Sequence, residues 1–141
     1  MSPDLKELAP DLETGHPAID LDHRIILSQL AHLKEALDKG LGREKAVDLI
    51  RALQRYTAGH FAREEVHMVR VKCPATERNI AAHREFTNRV EGWLTLLSIS
   101  STPVSMLRDI HKDATDWVTA HICGVDCGLR GCAEPNACKD V

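Results

Sequence analysis

The pattern of apolar and polar positions, with its breaks, divides the chain into four helical stretches, and the first shows apolar residues at three- and four-residue steps, the period of a helix with one buried face. In the first stretch, Ile25, Ile26, Leu30, Leu33 and Leu37 keep this step, which predicts a helix from about Asp20 to Lys39. Gly40 and Gly42 end it and make a short turn. The second helix is expected from about Arg43 to Val71, with Ala46, Leu49, Ile50, Leu53, Tyr56 and Phe61 facing the core, until Cys73-Pro74 breaks it. A third runs from about Ala75 to Leu97. After SISSTP, Thr102 is placed to cap and Pro103 to begin a fourth helix that ends near Cys123. No strand-like alternation of useful length interrupts this pattern. Four helices of similar length with short connections predict an all-α fold, an antiparallel up-down-up-down four-helix bundle.

The polar positions on these helices are less ordinary. In HFAREEVHM, His60 and Glu64 are four residues apart, about 40° around a helix, and His67 falls nearly in register with His60. One stripe therefore reads His60, Glu64, His67, while Glu65 is rotated away and expected in solvent. Carboxylate and imidazole at this spacing suit a metal pair inside a bundle, although Glu and His also meet by chance on exposed helices. The other helices strengthen the metal reading. Asp20, Asp22 and His23 lie near the start of the first, His83 is on the third, and His121 and Asp126 are at the end of the fourth. His121 and Asp126 are off-register on an ideal helix, so a loosened turn near Gly124 is needed to bring both inward. The alternative is a hydrogen-bonded polar core without metal, which is costly for so many ionisable groups.

Composition narrows the function classes. A chain of 141 residues, 43% hydrophobic and 28% charged, fits one compact domain. The net charge of −3 gives no basic footprint for nucleic acid. No apolar run approaches the ~20 residues of a membrane span. MSPDLKELAP lacks a basic-then-apolar leader, so a cytoplasmic location is expected.

In order along the chain, GHPAIDLDH, HFAREE, AAHREF and WVTAHICGVD resemble the hemerythrin pattern, in its bacterial form, over about residues 14–129. The resemblance implies a bundle at 16–129 flanked by tails at 1–15 and 130–141. It further implies two non-haem iron ions with an oxo or hydroxo bridge, binding dioxygen or another small diatomic ligand for storage, delivery or sensing. His23 and His60 are then terminal ligands of one iron, His83 and His121 of the other, and Glu64 and Asp126 the bridges. Ile26, one turn past His23, and Trp117 and Val118, one turn before His121, become walls of the ligand pocket. No side chain offers itself as a nucleophile or acid–base pair for organic turnover. The alternative function is a redox enzyme or sensor acting on peroxide or nitric oxide, served by an electron donor. Manganese or zinc suits similar ligands.

The chain departs from that pattern on the third helix. Asn79 stands in NIAAH where the family has a first histidine. Helices two and three are joined by a short turn, so His67 is expected to supply the missing ligand, with Asn79 hydrogen-bonding nearby. His16, in the segment before the first helix, either caps a helix end or reaches a metal left open by Asn79. His32 and His111 are expected on the surface. Leu8 or Leu12 is expected to fill the space of an N-terminal aromatic residue that the family commonly has. Cys123, Cys127, Cys132 and Cys138 follow no standard zinc or iron–sulfur spacing. They are read as a redox-active or disulfide-forming tail able to meet a redox partner, a second metal site, or ordinary thiols. Cys73 sits at the turn between helices two and three.

Overall fold

The computed structural model describes residues 13–124, and its ordered elements are four α-helices with no strand among the described residues. They are α1 (Pro17–Asp38), α2 (Gly42–Arg70), α3 (Thr76–Leu97) and α4 (Met106–Gly124). α1 packs on α2 and α4, α2 on α3, and α3 on α4, as in a four-helix bundle. None of these helices is long and apolar enough to cross a membrane.

The helix ends follow local chemistry. His16 is the N-cap of α1, its Nδ1 accepting the Ile19 N–H at 3.4 Å, and Pro17 takes the first helical position, where no N–H is needed. The Thr14 N–H and hydroxyl both donate to Asp20 Oδ1, at 2.8 and 2.7 Å, tying the preceding segment to the first turn. α1 closes with Gly40 at φ 66°: Leu41 N–H bonds to Ala36 O and Gly40 N–H to Leu37 O.

α2 closes in the same way before Pro74 is reached. Lys72 takes the left-handed position at φ 54°, Cys73 N–H bonds to Met68 O, and Lys72 N–H to Val69 O. Cys73 then packs on Met68, Ile19 and Ala75 in a small apolar cluster of its own, the contact that accompanies this kind of helix stop. The fourth helix begins at Met106, three residues later than the sequence predicts. Thr102 does not cap it; its hydroxyl donates back to Leu96 O at 2.7 Å and finishes α3. Arg43 secures this connection from α2 by donating to the carbonyls of Leu97, Ile99 and Thr102.

The main core joins Ile26, Leu30, Leu33, Ile50, Leu53, Phe61, Phe86, Val90, Leu107, Ile110, Val118 and Ile122 from all four helices. Leu37, Leu49 and Tyr56, expected in it, are only partly buried at its edge. His111 is not a free surface residue. It is half-buried with Nε2 3.0 Å from Leu30 O, linking α4 to α1, and burial pushes its pKa down.

Candidate metal centre

Between the main core and the α2–α3 turn, the helices bury a set of polar side chains. His23, His60, Glu64, Asn79, His83 and His121 are all at most 7% exposed. Two groups can hold a metal ion: His23, His60 and Glu64, and Glu64, His83 and His121. Within each, one ligand atom per residue lies within 4.8 Å of the others. Glu64 belongs to both. Its Oε2 lies 3.1 Å from His60 Nε2 and 3.5 Å from His23 Nε2, while Oε1 lies 3.1 Å from His83 Nε2. A carboxylate with one oxygen toward each group is the arrangement of a bridge between two cations.

The outer nitrogens explain why the rings point this way. His60 Nδ1 is 3.0 Å from Asp22 Oδ2, and His83 Nδ1 is 2.8 Å from Glu65 Oε2. A carboxylate on Nδ1 fixes the proton there and leaves Nε2 as the lone-pair donor, the usual support of a ligating histidine. Asp22 is itself pinned, accepting from Tyr56 Oη at 2.6 Å and from Arg63 Nη2 and Nε at 2.8 and 2.9 Å. Burial alone raises the Asp22 pKa, but the bonds from His60, Arg63 and Tyr56 outweigh it and hold the carboxyl well below the usual range. Burial and the Asp22 carboxylate push the Tyr56 pKa up to about 12.

Rings complete the enclosure. Phe61 stacks on His83 at 3.9 Å between centroids, and Trp117 on His121 at 4.6 Å. A cavity of about 10 Å³ is lined by His23, His60 and His121 together with Ile26, Trp117 and Val118, the three apolar residues expected as pocket walls. That is roughly the space one water molecule needs, so the void fits a ligand of very few atoms.

Some expectations take a different form. Glu65 is not turned to solvent; it is partly buried and holds His83. Asn79 does hydrogen-bond into the site, its Nδ2 donating to Glu64 Oε1 at 2.5 Å and to Met68 Sδ at 2.8 Å. His67 joins neither group. Met68, four residues past Glu64, occupies the place beside Asn79, whereas His67, three past it, is rotated to the other side and lies against His16. Asp126, Cys127, Cys132, Cys138, Leu8 and Leu12 lie outside the described residues. Cys73 is buried and disulfide-bonded, and Cys123 is a free, exposed thiol.

Sequence reasoning left Asp22 without a role and read Tyr56 as a core residue, not as a donor to Asp22. Asp22 was visible as an acid beside His23, but its reach to His60 on another helix was not. The donor set fits metal cations: imidazole nitrogens and a carboxylate, with oriented tautomers, in a dry setting. The fold and this centre together define a metal-binding helical bundle. Residues 14–129 match the Hemerythrin HHE cation binding domain, and the chain belongs to that family. No curated protein matches the sequence.

Proposed function

We propose that this protein is a non-haem di-iron protein of up-down-up-down topology that binds dioxygen for storage, delivery or sensing. The observation that carries the reading is Glu64, which turns one oxygen to His23 and His60 and the other to His83, beside a cavity of about 10 Å³. His23 and His60 would hold one iron and His83 and His121 the other. Glu64 would bridge them, joined by Asp126. When bound, the iron pair supplies the electrons and the open coordination position that dioxygen needs. The chain supplies the rest: Asp22 and Glu65 orient the rings, and Ile26, Trp117 and Val118 keep water out. Asn79 steadies Glu64 through its amide.

Metal content and the optical spectrum test this, recorded on the purified protein before and after anaerobic reduction and re-exposure to air. Two irons per chain, with oxo-bridge bands and an oxygen-dependent band that cycles, are expected. One iron or none, without such bands, overturns the reading.

Asn79 favours a second reading, a redox enzyme or sensor for peroxide or nitric oxide. An amide donor toward Glu64, where the family has an imidazole ligand, would leave a metal held by His83 and His121 with fewer nitrogen ligands. The autoxidation rate separates the two: slow for a carrier, fast for a sensor or enzyme.

A further inference from the structure

Three pairs of imidazoles in this bundle meet edge to face. His23 and His60 are 4.8 Å apart between centroids at 74°, and His83 and His121 are 5.1 Å apart at 66°. Both pairs belong to the candidate metal groups. The third pair, His16 and His67, is 4.4 Å apart at 68° and belongs to neither. It lies in an open groove of about 390 Å³ between the start of α1 and the end of α2, also lined by Asp22, Arg63 and Arg70.

We propose that His16 and His67 form a separate site in this groove for a single late first-row divalent cation such as Ni²⁺, Cu²⁺ or Zn²⁺, with water in the remaining positions. Three observations carry it. The ring geometry repeats that of the two buried pairs. His67 Nε2 is buried and has no hydrogen-bond partner. The groove is wide enough for an ion that keeps several waters.

The charges around the pair are compatible with a cation. Arg63 is held in place by two bonds to Asp22, which neutralises it locally. Arg70 is exposed, and its long side chain can swing into solvent. Burial, then the neighbouring His16 and Arg70, push the His67 pKa down, so the neutral ring that a metal requires is the prevailing form near pH 7. Imidazole ligands select cations of this class over magnesium or calcium. Binding through His16 Nε2 moves that ring's proton to Nδ1 and gives up the 3.4 Å bond from Ile19 N–H, so the site is coupled to the first turn of α1. The inference does not depend on which metal fills the buried centre.

The test is a Ni²⁺ titration of the full-length protein, already loaded with its buried metal and with free thiols alkylated, followed by metal analysis after desalting. His16→Ala and His67→Gln are compared with the parent, with circular dichroism to confirm that each is folded. One extra equivalent of nickel in the parent, lost in both variants while the buried metal stays unchanged, is the expected result. Nickel uptake that survives both substitutions, or no extra equivalent in the parent, overturns the proposal. So does loss of buried metal in His67→Gln with nickel uptake unaltered, which would make His67 a ligand of the buried centre.

Discussion

At the residue scale, one carboxylate and its neighbours govern the centre. Glu64 is fully buried and shared by both groups, so on the proposed reading Glu64→Gln is expected to abolish metal binding at both groups together. His23→Ala should first deplete one. Metal stoichiometry on the purified variants checks this, and retention of a full complement in Glu64→Gln would refute the bridging role. Asp22 works one step further out. Removing the charge in Asp22→Asn leaves His60 without its anionic partner, and roughly 10–100-fold weaker metal binding is expected, as for comparable supporting carboxylates. Competition with a chelator measures it. Tyr56→Phe removes only one of the bonds that hold Asp22, so its effect should be smaller.

At the element scale, the two helix stops differ in an informative way. α1 ends on Gly40, which takes a positive φ at no steric cost, while α2 ends on Lys72 at φ 54°. Lys72→Gly should therefore stabilise the protein by about 1 kcal/mol, read as a higher midpoint in thermal or denaturant unfolding. An unchanged or lower midpoint would mean that the added backbone freedom of the unfolded chain cancels the gain. The α2 stop also shows where pattern reading falls short. Pro74 announces a break, but the hydrogen bonds of Lys72 and Cys73 have already ended the helix. Thr102 is a similar case: a residue read as a cap for the next helix bonds to the previous one, because the chain turns back there within hydrogen-bond reach of Leu96 O.

At the scale of the whole molecule, packing sets a dependence on pH. Burial lowers the His111 pKa in the folded protein, and the Leu30 carbonyl only partly offsets it. The unfolded chain, with a histidine near ~6.5, then binds more protons in the window below that value. Stability from this residue is intact above pH ~6.5 and falls as pH drops toward the lowered folded pKa. His111→Gln should flatten that part of the stability–pH curve, measured by denaturant unfolding between pH 5 and 8; an unchanged slope would exclude His111 as its source.

The sequence by itself determined four helices, most of their core positions, and which histidines and acid gather at the centre. The helices and their core faces follow from periodicity, because a helix fixes what shares a face within one element; the set of ligands came from the family resemblance, since spacing alone gave only the stripe His60, Glu64, His67. His23, His60, Glu64, His83 and His121 could be named from the resemblance before any packing was known. What crosses between helices only the tertiary structure decided. The packing of α3 against α2 places Met68, and not His67, beside Asn79; a step of four rather than three reverses the direction in which the side chain leans away from Glu64. The same packing takes Asp22 from α1 to the ring of His60, brings Glu65 to His83, and closes His16 onto His67. Those pairings depend on offsets of a few ångströms between separate helices, which no period along a single chain encodes.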